Sequence, residues 1–107
     1  MIEKSTMDKI VNNLMVKYNY KEIELNKTYW VSEWSWTPIA DGYFAYEQTI
    51  RSVENIDGVM VYRTEKNNRK YFAWDLYETE EEAKKMSEFK NSYGYTWAFY
   101  ESHYILD

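Results

Sequence analysis

From Tyr20 to Tyr77 apolar and polar residues alternate with a period of two, and helical periodicity stands on either side of that stretch. Side chains on a strand point to opposite faces in turn, so this alternation is the pattern of half-buried strands. "TYWVSEWSW", "YFAYEQTIRSV", "VMVYRTE" and "KYFAWDLY" each read as one strand. The breaks between them are short. "TPIADG" holds the only proline, Asp57-Gly58 is a hairpin dipeptide, and Asn67-Asn68 tolerate the positive φ of a tight turn. Connections of that length join antiparallel neighbours, so the segment predicts a meander. "YKEIELN", residues 20–26, is a further short strand, and "YTWAFYESHYIL", residues 95–106, reads as the last one, after Gly94.

The flanking helices have their own signals. Met7, Ile10, Val11, Leu14, Met15 and Tyr18 follow helical spacing, with Ser5 or Thr6 as the cap, Asp8 in the first turn and Asn19 as the stop. "ETEEEAKKMSEFKNS" predicts the second helix, with Thr79 and Glu82 as a capping box and Ala83, Met86 and Phe89 as its apolar stripe. The fold class is therefore α+β. It comprises an antiparallel β-meander of five to six strands, an N-terminal helix and a second helix before the last strand, in one domain over residues 1–107.

Composition narrows the function. There is no cysteine, which excludes disulfides, thiolate metal sites and cysteine nucleophiles. No apolar run suits a signal peptide or a membrane span, so the expected location is the cytoplasm of a bacterial host, with no membrane partner. The net charge of −5 disfavours general binding to a phosphate backbone and favours a basic protein surface. No glycine-rich phosphate loop or metal-ligand spacing is present, and "DLYETEEE" is a helix start rather than a calcium loop. His103, with Glu101 two residues before it, lacks a nucleophile and an oxyanion hole, so no catalytic residue and no cofactor is expected.

One residue in five is aromatic, including twelve tyrosines and five tryptophans. Part of the tyrosine excess matches the codon bias of an AT-rich genome, which does not enrich tryptophan. Sorted by parity, Trp30, Trp34 and Trp36 lie on one face with Ser32. Phe44, Tyr46 and Ile50, and then Phe72, Trp74 and Leu76, take the even face of their own strands. Even positions then form the core, with Trp36, beside the Pro38 loop, partly exposed. The odd face carries Tyr29, Tyr43, Tyr71 and Tyr77 among Glu33, Glu47, Asp75, Thr49 and Arg51. Strand propensity alone explains tyrosine there. Tyrosine mixed with carboxylates is also the composition of a binding surface.

At "RKYFAWDLYETEEEAKKM" a meander that ends in an aromatic strand runs into a helix opened by Thr-Glu-Glu-Glu-Ala. This resembles small proteins of bacteriophages and mobile elements in low-GC Gram-positive bacteria, many of them similar to a small barrel of the Src-homology-three type. In size and composition the chain also resembles anti-CRISPR inhibitors. That resemblance implies a non-catalytic protein that occupies the basic channel of a CRISPR effector or another nucleic-acid-binding protein. The expected contacts are Tyr29, Glu33, Trp36, Asp41, Tyr43, Glu47, Glu54, Asp57, Tyr71, Asp75 and Tyr77. The alternative is a nucleic-acid-binding module that stacks bases on sheet aromatics and uses the basic 63–70 hairpin of Arg63, Lys66, Arg69 and Lys70. A terminal aromatic strand without proline or lysine would also offer an edge for a homodimer.

Overall fold

The computed structural model describes residues 3–18, 21–36, 38, 41–64 and 69–101. Helix α1 (Lys4–Tyr18) precedes strands β1 (Lys27–Trp36), β2 (Asp41–Ile56), β3 (Val59–Thr64) and β4 (Lys70–Phe72). A 3-10 turn (Ala73–Asp75) leads into β5 (Leu76–Tyr77), followed by helices α2 (Glu80–Asn91) and α3 (Tyr95–Tyr100). The expected α+β class, with an antiparallel sheet after an N-terminal helix, is the observed one.

The strand order is β4-β3-β2-β1-β5. Phe72 at one edge and Leu76 near the other are separated only by the 3-10 turn. Four residue steps reach at most ~14 Å. Five flat strands ~4.8 Å apart would hold their outer edges ~19 Å apart. The sheet therefore curls, and the gap between its outer strands is crossed by a turn instead of a ladder. β2 takes up the curvature. Its sixteen residues would run ~50 Å if straight, beyond the molecule's longest dimension of 37 Å. The register slips between Ile50 and Ser52, as a bulge that bends a strand does. At Asp57-Gly58 both φ angles are positive, and Ile56 faces Val59, the geometry foreseen for that dipeptide.

The register corrects the sorting of faces. Trp36 pairs with Asp41, Ile56 with Val59 and Val61 with Phe72. Each pairing joins an odd to an even position, so the parity of each face flips from strand to strand. Ser32 thus shares a face with Ala45, and Trp34 with Tyr43. Both faces of the sheet are covered. On the outside, Met7 and Val11 of α1, Ala83 and Met86 of α2, and Trp97 and Tyr100 of α3 pack on Tyr43, Val61, Phe72, Trp74 and Tyr77. Within the curl, Tyr29, Val31, Ile50, Tyr62, Tyr71, Ala73 and Leu76 form a second cluster. Tyr29, Tyr43, Tyr71 and Tyr77 are all buried, so they do not make an exposed face.

Three further expectations change. Residues 21–26 contain no strand. "KYFAWDLY" is two strands on opposite edges, divided by the 3-10 turn. The last strand is replaced by α3, because Trp97, Tyr100 and Glu101 follow helical spacing and put Trp97 and Tyr100 in the core. The edge proposed for a homodimer is therefore not a strand over Tyr95–Tyr100, and residues 102–106 lie outside the described residues.

Helix ends are set by local bonding. α1 begins before the expected cap, with the Glu3 carbonyl accepting from the N–H groups of Thr6 and Met7, each at 3.1 Å. Asp8, one turn further in than expected, pairs with Lys4 at 3.0 Å and accepts the Tyr100 hydroxyl, tying α1 to α3. Asn19 lies outside the described residues. Thr79 caps α2 by accepting the Glu82 N–H at 3.3 Å, and its hydroxyl donates to the Glu82 carboxylate at 2.8 Å.

Trp74 and Trp97 are both fully buried and differ in one atom's surroundings. Trp74 stacks on Phe72 with ring centres 4.5 Å apart, and its Nε1–H has no acceptor among the described residues. Trp97 donates its Nε1–H to Glu101 at 2.7 Å. The two Trp→Phe substitutions remove similar volumes, but only Trp97→Phe deletes a hydrogen bond and strips a donor from a buried carboxylate. Trp97→Phe is therefore expected to cost about 1–3 kcal/mol more than Trp74→Phe in urea unfolding. Equal losses would contradict the assigned bonding.

Candidate functional site

Beyond the short β1–β5 ladder, which covers only Trp30 and Val31, side chains hold β1 to β4. The Arg69 guanidinium donates to the Trp34 carbonyl at 3.1 Å and pairs with Glu33 Oε2 at 3.0 Å. The Tyr71 hydroxyl donates to Glu33 Oε1, and the Gln48 amide reaches the same oxygen at 3.3 Å. Burial, reinforced by Glu33, pushes the Tyr71 phenol far above its ordinary pKa.

A cleft of about 320 Å³ opens beside these contacts, walled by Glu33, Trp34, Tyr43 and Tyr71, with Asp75 and Lys90 at its floor. Lys90 is completely buried. Its ammonium pairs with Asp75 and stands 3.5 Å from Glu101, beneath the rings of Tyr43 at 4.7 Å and Trp97 at 5.8 Å. Asp75 Oδ2 also accepts the Phe72 N–H at 2.9 Å, which fixes the 3-10 turn. Burial works against the charge on Lys90, but the Asp75 and Glu101 carboxylates outweigh it and hold its pKa above the ordinary value. Burial raises the Glu101 carboxyl, with Lys90 pulling the other way. The Tyr43 phenol is pushed far up by burial, then by Glu101 and Asp75. An amine held protonated is neither a nucleophile nor a general base. The chemistry of this floor is that of a buried ionic clamp joining α2 and the start of the segment after α3 to the turn.

Beyond Trp34 of the cleft wall lies a rim of exposed aromatic residues that do not themselves line the cleft. Trp36 is 74% exposed and Tyr95 68%. Tyr95 donates its hydroxyl to Asp41 at 2.9 Å, and Asp41 pairs with Trp36 across the ladder. That hydrogen bond to a carboxylate raises the Tyr95 pKa. The Tyr95 ring lies 5.3 Å from Trp34, which lies 5.3 Å from Tyr43 in the cleft wall. Trp34 thus links an exposed patch of indole, phenol and carboxylate to the buried clamp.

Of the residues expected to contact a partner, Glu33, Tyr43, Tyr71 and Asp75 come together in the cleft, and Trp36 and Asp41 in the rim. The others lie apart. Tyr29 is inside the curl, where its hydroxyl accepts the Glu24 N–H at 2.9 Å. Tyr77 lies edge-on to Tyr18 of α1 at 6.3 Å and donates to the Trp74 carbonyl at 2.5 Å. Glu47 is exposed along β2. Glu54 is exposed and pairs with Arg63 at 3.3 Å, and Asp57 sits in the hairpin turn. Because β2 is long and bent, Asp41 and Asp57 stand at its opposite ends.

Lys90, Tyr95, the pairing of Arg69 with Glu33 and the clamping role of Glu101 escape the sequence reading. One signal for Lys90 was present. Ala83, Met86 and Lys90 are spaced as one helical stripe, so the lysine continues the buried side of α2. His103 and Lys66 lie outside the described residues. Among the described residues no group of acidic and histidine side chains is set to hold a metal ion, and no helix is long and apolar enough to cross a membrane. Compared with models of protein families, with curated proteins and with solved structures, the chain matches none.

Proposed function

We propose that this chain is a non-catalytic binding protein that meets a basic protein surface with the rim of Trp36, Tyr95 and Asp41. One observation carries the reading: the two most exposed aromatic side chains among the described residues are both tied to Asp41, Tyr95 through its hydroxyl and Trp36 as the ladder partner of that residue. Single exposed apolar residues are ordinary, whereas clustered aromatic anchors beside charge mark contact surfaces. The net charge of −5 supports a basic partner. In its narrower form the proposal is an inhibitor carried by a phage or mobile element, seated in the nucleic-acid channel of a CRISPR effector. Small size and acidity support that form, and the rim replaces the buried tyrosines as its anchor.

The nucleic-acid alternative has less support. The aromatics it would use for stacking, Tyr29, Tyr62 and Tyr71, are buried. Arg63 and Arg69 of its basic hairpin are paired with Glu54 and Glu33.

The test is an RNA-guided DNA cleavage assay with purified effectors loaded with guide. The chain is expected to slow cleavage, and raising salt from about 50 to about 500 mM should relieve it. The Trp36→Ala/Tyr95→Ala double variant is expected to bind at least about 30-fold more weakly, the scale of losing interface hot spots. Inhibition unchanged in that variant would remove the rim from the mechanism. No effect on any effector, together with a gel shift of single-stranded RNA, would favour the alternative.

A further inference from the structure

We propose that the outer edge of β2, from Tyr43 to Glu47, receives an extended basic segment of a partner protein as an added strand. This deepens the reading above, and rests on it only for the partner's charge. β1 pairs with β2 from Asp41 to Ile50, whereas β3 pairs with it only from Ile50 onward. The first half of β2 therefore has a ladder on one side only, among the described residues.

A side chain already imitates the missing strand at one end of this edge. Asn91, the last residue of α2, accepts the Tyr43 N–H on Oδ1 at 2.7 Å and donates its Nδ2–H to the Tyr43 carbonyl at 2.9 Å. These are the two bonds that an antiparallel neighbour makes to one residue. The fit is close: a Cβ on Gly42 would lie 2.9 Å from Asn91 Oδ1, and Gly42 has a φ of +155°. Backbone direction alternates along a strand, so Ala45 and Glu47 also turn their N–H and C=O groups outward. Past Tyr43 no side-chain amide of the described residues continues the imitation.

Among the described residues no strand covers this edge. Tyr46 and Glu47 are exposed, and no proline or lysine falls between Tyr43 and Thr49 to block pairing. A hollow of about 310 Å³ runs beside Ala45, walled by Lys84, Ser87 and Glu88 of α2, and can take a side chain of the added strand. Three residues suffice for a strand in this sheet, as β4 shows. Strand addition of this kind draws affinity from main-chain bonds and specificity from pockets for alternate side chains. Charge selects the occupant. Lys84 in the wall is paired with Glu80 at 2.6 Å, which leaves Glu47 and Glu88 beside the edge to meet a lysine or arginine of the incoming segment. A second copy would instead bring two such edges, and two chains of net charge −5, together.

The probe is the blocked peptide acetyl-Val-Arg-Val-Lys-Val-Thr-amide, titrated into the isotope-labelled full chain and followed by amide exchange. Exchange at Ala45 and Glu47 is expected to slow at least tenfold. The same peptide N-methylated at alternate residues should have no effect, and Glu47→Lys should weaken binding about tenfold at low salt. Equal protection by the methylated peptide, or unchanged exchange at millimolar peptide, would overturn the proposal. Protection that instead rises with the chain's own concentration would assign the edge to a second copy and overturn the partner. The Trp36→Ala/Tyr95→Ala variant should still take the peptide. Its failure to inhibit effectors while the peptide binds would separate the rim from the edge.

Discussion

Replacing Lys90 by alanine is expected to destabilise the fold by about 3–5 kcal/mol at neutral pH, the range for removing one partner of a buried ion pair. The substitution leaves Asp75, only 3% exposed, with the Phe72 N–H but no cation. It also leaves Glu101 without the ammonium that opposes the rise in its pKa. Three elements lose a common anchor: α2 through Lys90, the end of α3 through Glu101, and the 3-10 turn through Asp75. The Lys90→Met/Asp75→Asn pair removes both charges, and asparagine keeps an oxygen for the Phe72 N–H. That double variant is expected to recover more than half of the loss, because a neutral pair carries no uncompensated charge. Urea unfolding followed by tryptophan fluorescence measures all of these changes. The deficit of Lys90→Ala should also shrink as pH falls and the Glu101 carboxyl, already raised by burial, takes up a proton. A loss below about 1 kcal/mol would mean that the ammonium is not buried.

Alkali is expected to unfold the protein steeply from about pH 10 upward. Tyr43, Tyr71 and Tyr77 are buried with their phenol pKa values raised, by burial first, far above the ordinary 10.0. The unfolded chain therefore loses these protons before the folded chain does. Stability is fully present below pH 10 and falls as pH rises above it. Each phenol contributes about 1.4 kcal/mol per pH unit in that range, so the three together remove about 4 kcal/mol by pH 11. Lys90 acts in the same direction above its ordinary 10.5, since its folded pKa is also raised. A domain holds only about 5–15 kcal/mol in all, so this loss is large. Absorbance at 295 nm and far-ultraviolet circular dichroism should change together, because the buried phenols ionise only when the fold opens. Gradual ionisation of every phenol with the dichroism intact to about pH 12 would contradict the burial of these three.

What the sequence disclosed follows from how local each signal is. α1 and α2 were legible because an apolar stripe lies within one segment, joined in α2 by the cap of Thr79 and Glu82. The Asp57-Gly58 hairpin was legible because two residues carry the whole geometry. The faces were not, because they depend on the register across each turn, and one connection between Trp36 and Asp41 decides whether Tyr43 lies with Trp34 or against it. α3 was misread because aromatic residues favour strands as isolated types, while the spacing of Trp97, Tyr100 and Glu101 suited a helix that a core could hold. The site was half visible. Trp36 and Asp41 stood out beside the proline loop. Lys90 did not, because a lysine near a helix C-terminus has a ready explanation in the helix dipole, and only its partners reveal the clamp.

The segment Ala73–Asp75 is the sole covalent bridge between the two rims of the sheet. Of the strands it unites, β4 meets β3 close by in the chain, Val61 with Phe72, whereas β5 meets β1 from far away, Val31 with Leu76, and pairings of larger sequence separation form more slowly. Seating of β5 is therefore expected to follow that of the local β3–β4 hairpin. An error in those three residues would bare two strand margins at once, and sticky intermediates would arise from that one locus.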